Sequence, residues 1–131
     1  MKKILLADDH APTREVFTRI LETENYRIIQ AADGKQALAK AASEKPDLII
    51  MDVMMPNMDG YETLAKLKED PSTQGIKVMM LTAMDRPRER AWALEMGADS
   101  YMVKPVRIEE FQTNVKRAVA RSRRPVIRSR A

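Results

Sequence analysis

The chain of 131 residues contains no cysteine. Disulfides and thiolate metal sites are therefore excluded. No apolar run approaches the length a bilayer requires. The N-terminus, MKKILLADD, has no room for a signal peptide, because its apolar run from Ile4 to Ala7 ends at two aspartates. The cytoplasm is the expected location. No internal repeat is visible. Acid is missing from one stretch: residues 121–131 hold five arginines and no carboxylate side chain. Subtracting those five charges from the net +4 leaves −1 for residues 1–120, so a near-neutral body carries a basic tail. With 44% hydrophobic and 32% charged residues, the composition is that of one soluble globular domain.

What is present is a regular alternation. Lys3 to Ala7 reads as a buried strand that ends at Asp8 and Asp9. Ala11 to Glu24 reads as a helix, with Pro12 in its first turn and Val16, Phe17, Ile20 and Leu21 on its buried face. Tyr26 to Ala31 is a second strand and Gly34 to Glu44 a second helix. The next stretch, Asp47 to Pro56, is the most informative. Leu48 to Met51 form a short apolar run, as expected for a strand buried on both faces, and deliver the chain to Asp52. A carboxylate there is costly unless it has partners or an open edge. Tyr61 to Glu69 is a third helix with Leu64 and Leu67 inward. Ile76 to Leu81 is a fourth strand, ending at Thr82. Arg86 to Met96 is a fourth helix with Gly97 as its cap. Ser100 to Val103 is a fifth strand, ending at Lys104 and Pro105. Ile108 to Arg121 is a last helix with Phe111, Val115, Ala118 and Val119 inward. Strands and helices alternating in this way predict an α/β fold, a parallel sheet with helices on both faces. Its ligand site belongs at the carboxyl ends of the strands.

The strand ends supply the chemistry. Asp8, Asp9 and Asp52 are carboxylates, Thr82 is a hydroxyl and Lys104 an ammonium. Converging carboxylates need a counter-cation, and oxygen ligands without thiolate or imidazole suit Mg²⁺. Together these groups make a cradle for a phosphoryl group. A carboxylate can be the nucleophile, forming an aspartyl phosphate.

In these motifs the chain resembles the receiver domain of two-component response regulators, the CheY-like family. The residues that carry the resemblance are the Asp8–Asp9 pair, the DVMMPNMDG segment around Asp52, Leu81 to Ala83, and the Lys104–Pro105 pair, spread over residues 1–120 in the family's order. The resemblance implies a (βα)5 flavodoxin-like, doubly wound fold with strand order 2-1-3-4-5. It implies that Asp52 accepts a phosphoryl group from a histidine kinase or histidine phosphotransfer protein. Asp8, Asp9, Asp52 and the backbone carbonyl of Met54 would bind Mg²⁺. Thr82 would bond the phosphate and Lys104 would pair with Asp52 and then with the phosphate. Tyr101 matches the aromatic switch, turning inward as Thr82 moves, beside the small Ala83. The Lys104–Pro105 bond is expected to be cis. The output would be a remodelled face of the fourth helix, fifth strand and fifth helix, to which Trp92, Tyr101 and Phe111 belong. That face would bind a downstream protein or effector domain, or a second copy in a phosphorylation-dependent homodimer.

Two positions depart from the family's more polar choices. Met54 follows Asp52 by two residues and Met84 follows Thr82 by two, so apolar side chains flank the path of an attacking water and are expected to lengthen the life of the phosphoryl group. The remaining methionines read as core and loop packing, and His10 as a loop residue. The chain is read as a signalling switch rather than an enzyme. A Mg²⁺-dependent aspartyl-phosphate phosphatase is the enzyme alternative, but Met54 stands where a second aspartate would serve as general acid. A flavodoxin-type cofactor site lacks its Gly-rich loop after the first strand. Residues 121–131 read as a basic tail or a linker, the chain being either a stand-alone receiver or the receiver part of a longer regulator. Nucleic-acid binding by that tail is disfavoured, since no aromatic accompanies the arginines and no helix-turn-helix follows. No membrane partner is expected.

Overall fold

A computed structural model describes residues 1–121. The elements run β1 (Lys3–Ala7), α1 (Ala11–Glu22), β2 (Arg27–Ala31), α2 (Gly34–Glu44), β3 (Leu48–Met51), α3 (Gly60–Glu69), β4 (Lys77–Thr82), α4 (Pro87–Glu95), β5 (Ser100–Val103) and α5 (Ile108–Ala120). The five strands form one sheet in the order β2-β1-β3-β4-β5, every pair parallel. The arginine-rich stretch read as a tail or linker lies outside the described residues beyond Arg121.

Alternation along the strands builds two cores. Leu5, Ala7, Ile49, Met51, Val78 and Met80 point to one face, where Ala37 and Ala41 of α2, Leu64 and Leu67 of α3 and Ala93 of α4 cover them. Ile4, Leu6, Leu48, Ile50, Met79 and Leu81 point to the other, under Leu21 of α1 and Phe111, Val115 and Val119 of α5. A strand buried on both faces has no polar side, which is why β3 and β4 read as unbroken apolar runs. Phe17 and Phe111 tie α1 to α5 with ring centroids 4.9 Å apart.

Several details differ from the sequence expectation. The first helix stops at Glu22 rather than Glu24, because Asn25 adopts a positive φ of 65° and Tyr26 N–H turns back to the Leu21 carbonyl. Val16 is 56% exposed, so the buried face of α1 is carried by Phe17, Ile20 and Leu21. Thr82 closes β4, which begins at Lys77. Pro87, whose missing N–H suits a first turn, starts α4, and Gly97 follows it with φ +114°. Phe111 is fully buried and cannot contribute to an output surface.

One close approach fixes the loop after β3. Gly60 N–H donates to the Val53 carbonyl at 2.7 Å. A Cβ on Gly60 would lie 2.3 Å from the Asp52 carbonyl oxygen. Only glycine lets α3 begin against the loop that carries Asp52.

Candidate functional site

The site lies at the carboxyl edge, where β1 has β2 on one side and β3 on the other and the chain's winding reverses. Asp8 directly follows β1 and its N–H donates to the Ala31 carbonyl at 3.1 Å, while Asp52 follows β3 and its N–H donates to the Ala7 carbonyl at 3.0 Å. These bonds extend the strand pairing and fix both carboxylates side by side. Lys104 follows β5, and its N–H donates to the Thr82 carbonyl at 2.8 Å. The Lys104–Pro105 peptide is cis.

Lys104 joins the carboxylates. Its Nζ donates to Asp8 Oδ2 at 3.0 Å and to Asp52 Oδ2 at 3.2 Å. Burial alone lowers the pKa of this ammonium. The hydrogen bond to Asp8 and the charge of Asp52 outweigh that effect, and the net shift is upward. Lys104 is therefore fully charged at neutral pH. Asp52 Oδ1 accepts the Met54 N–H at 3.1 Å, and Asp8 Oδ1 accepts the His10 N–H at 2.9 Å. Two carboxylates against one ammonium leave the centre negative, and exposed Asp9 adds to that charge.

The other predicted residues fall around this centre. Thr82 is fully buried and its Oγ1 accepts the Met84 N–H at 3.2 Å. Asp9, Met54 and Met84 line a cleft of about 500 Å³ that runs toward Tyr61, Arg86 and Glu89. Met54 is 60% exposed, whereas Met84 packs partly against the core. Ala83 is exposed. Tyr101 lies inward and half-buried, its hydroxyl donating to the Met84 carbonyl at 2.8 Å. His10 is the N-cap of α1, its ring accepting from the Thr13 N–H.

Two participants escaped the sequence reading. Arg14 Nη1 donates to the Asp8 carbonyl at 2.7 Å while Nε holds Gln30 Oε1 at 2.8 Å, so this arginine locks the end of β1 to the end of β2. Tyr61, read only as the start of a helix, meets Tyr101 hydroxyl to hydroxyl at 2.8 Å. Nothing in local spacing signals either contact.

Among the described residues no cluster of three or more carboxylate or imidazole groups has the geometry to hold a metal ion by itself. The ammonium between Asp8 and Asp52, with Asp9 set toward the cleft, explains this. The donors are nonetheless all hard oxygens, which fits Mg²⁺, an ion that takes few protein carboxylates and keeps several waters.

A parallel 2-1-3-4-5 sheet whose carboxyl edge holds aspartates, a bridging lysine and a buried threonine defines a receiver-type α/β protein. The chain belongs to the family of response regulator receiver domains, whose model matches residues 4–116. It is 41% identical over 121 residues to the alkaline phosphatase synthesis transcriptional regulatory protein PhoP of Bacillus subtilis (strain 168), covering 92% of this chain and 50% of PhoP. The chain thus spans half the length of that relative. Its fold matches a CheY-like response regulator receiver domain protein from Methanospirillum hungatei JF-1 with a TM-score of 0.86 at 31% identity, covering 92% of this chain and 94% of that one. It also matches the receiver domain of sensor histidine kinase PA1611 from Pseudomonas aeruginosa PAO1 with a TM-score of 0.83 at 28% identity, covering 92% and 98% respectively; that structure has a magnesium ion coordinated in its active site cleft. No helix among the described residues is long and apolar enough to cross a membrane.

Proposed function

We propose that this chain is a phosphoacceptor in a two-component relay, with Asp52 as the accepting residue. The observation that carries the reading is Lys104 Nζ, held at 3.0 Å from Asp8 and 3.2 Å from Asp52 although the three residues come from three different strand ends. In the transfer, an Asp52 oxygen forms a bond to phosphorus as the phosphorus–nitrogen bond of a phosphohistidine breaks. The electron pair leaves with the imidazole of the donor. Positioning and charge neutralisation are the whole of the protein's task in such a step. Met54 N–H orients the Asp52 carboxylate, Lys104 neutralises charge developing on the phosphoryl oxygens, and the Thr82 O–H donates to one of them. Asp8, Asp9, Asp52 and the carbonyl of Met54 would hold Mg²⁺, which supplies further charge neutralisation when bound. The added phosphoryl group brings about −1.5 to −2 charge beside Lys104 and Thr82. That charge biases a two-state switch in which Thr82 and Tyr101 move together.

The partners follow from this chemistry. A histidine kinase or histidine phosphotransfer protein is the donor. A downstream protein or effector domain, attached or separate, reads the face of α4, β5 and α5, and the cytoplasm is where such partners meet. The protein acts as a switch that promotes only its own phosphorylation and dephosphorylation.

The test is labelling by acetyl phosphate or a histidine kinase in the presence of Mg²⁺. Wild type takes up label and Asp52→Asn takes up none, because the amide cannot form the acyl phosphate. Full labelling of the Asp52→Asn protein would overturn the assignment.

A further inference from the structure

The hydroxyls of Tyr61 and Tyr101 meet at 2.8 Å although 40 positions separate them in the chain. A phenol carries one proton. Tyr101 gives its proton to the Met84 carbonyl at 2.8 Å. Tyr61 is therefore the donor in the Tyr61–Tyr101 pair. Met84 N–H in turn donates to Thr82 Oγ1 at 3.2 Å. One line of hydrogen bonds thus runs from the buried threonine of the site through Met84 and Tyr101 to Tyr61.

Tyr61 is well placed to fix the far end of that line. It follows Gly60, whose N–H holds the Val53 carbonyl in the loop that carries Asp52. Its ring stands edge-on to Trp92 of α4, with centroids 5.6 Å apart. Burial first, then the Tyr101 hydroxyl and the negative charge of Glu89, raise its pKa and keep the phenol protonated. Tyr61 also lines two adjoining spaces, the cleft beside Asp9 and a shallow groove with Arg88, Glu89 and Trp92.

We propose that Tyr61 is a positioning residue of the switch: its hydroxyl latches Tyr101 in the inward position and couples the Asp52 site to α3 and to Trp92 on α4. The coupling half rests on the phosphoacceptor reading; the latch itself does not. Ring packing alone is the competing account, and Tyr61→Phe separates the two because it keeps the ring and removes only the hydroxyl.

The chain has three tyrosines and one tryptophan, so both ends of the latch can be read directly. The full chain is labelled with 3-fluorotyrosine, and the Tyr101 signal is assigned by its loss in Tyr101→Phe. Before any phosphodonor is added, Tyr61→Phe is expected to move the Tyr101 fluorine signal toward its solvent-exposed value. The shift should correspond to a fall in the inward-to-outward ratio of about fivefold, the worth of one net hydrogen bond. An unchanged signal in Tyr61→Phe overturns the latch. So does a change seen only in Tyr61→Leu, which would assign the effect to the ring. For the coupling, Trp92 emission is followed on adding beryllofluoride and Mg²⁺. Tyr61→Phe should blunt the response in an otherwise wild-type chain and add nothing in a Tyr101→Phe background; equal responses in wild type and Tyr61→Phe overturn the coupling. A wild type that neither responds to beryllofluoride nor accepts label removes the phosphoacceptor reading and with it the coupling, while the fluorine signal still decides the latch.

Discussion

Asp52 is followed by two side chains of opposite exposure. Val53, next to it, is 3% exposed and anchors the loop in the core, whereas Met54, one further on, is 60% exposed at the mouth of the cleft. The Met54 N–H serves the carboxylate while its thioether side chain lines the cleft beside Asp9. A thioether is a weak acceptor and cannot orient a water as an amide or carboxylate does. On the phosphoacceptor reading, the wild-type phosphoryl group outlives minutes at neutral pH. Met54→Asn should shorten that life about tenfold, the effect of ~1.4 kcal/mol on the hydrolytic barrier. Decay of radiolabel from the purified protein measures this; loss within seconds from wild type, or equal rates in both proteins, would remove Met54 as the barrier. Asp52, Thr82 and Lys104 were legible because each ends an apolar run, and strand ends in a parallel sheet converge. Arg14 and Tyr61 were not. Arg14 sits within a helix that the sequence shows only as amphipathic, and Tyr61 has its partner in β5.

At the scale of elements, β4 and α5 are joined by an ion that the mechanism does not use. Lys77 is 2% exposed, and its Nζ donates to the Ala118 and Arg121 carbonyls at the C-terminal end of α5. The Ala118 carbonyl otherwise takes only a long 3.4 Å bond from the Arg121 N–H. Carbonyls at this end carry the negative end of the helix dipole, so an ammonium suits them. Burial, reinforced by the charge of Lys2, lowers the Lys77 pKa below 10.5, with Asp99 and Asp47 opposing. The unfolded chain then holds this proton more tightly than the folded one. Stability must rise with pH between the lowered folded value and 10.5, and this residue's contribution is flat below it. Lys77→Met should lose that alkaline gain. Near pH 7 it should change stability by less than about 2 kcal/mol, because the lost carbonyl bonds and the relieved burial of charge oppose each other. Urea denaturation of both proteins from pH 7 to 10 checks this, and parallel stability curves would rule it out. The boundaries of β1 and β5 were readable from apolar runs. The end of α1 was not, because it depends on Asn25 taking a left-handed conformation.

For the whole molecule, one face gathers charges of both signs around β5. The face of α4, β5 and α5 holds a depression of about 410 Å³ that includes Asp85, Arg90, Tyr101, Glu110 and Asn114. Charges of both signs on one patch suit a two-fold pairing, in which each acid can meet its counterpart's base. Beryllofluoride with Mg²⁺ is expected to shift the sedimentation of the full chain from monomer toward dimer. An unchanged mass at tens of micromolar protein would rule out the homodimer and leave this face to a downstream protein or effector domain, attached or separate.

The sequence by itself determined the α/β alternation, the burial of β3 and β4 on both faces, and the arrival of Asp8, Asp52, Thr82 and Lys104 at strand ends. These follow from local periodicity and from the cost of a polar group inside a doubly covered sheet. The pairing of Lys104 with Asp52 was already implied by the resemblance; tertiary structure alone decided that Lys104 also holds Asp8 and that Asp9 turns to the cleft. It also decided that Tyr61 closes on Tyr101. Each of these depends on the order and register of strands far apart in the chain, where a shift of one residue would exchange the two faces and dissolve the contact.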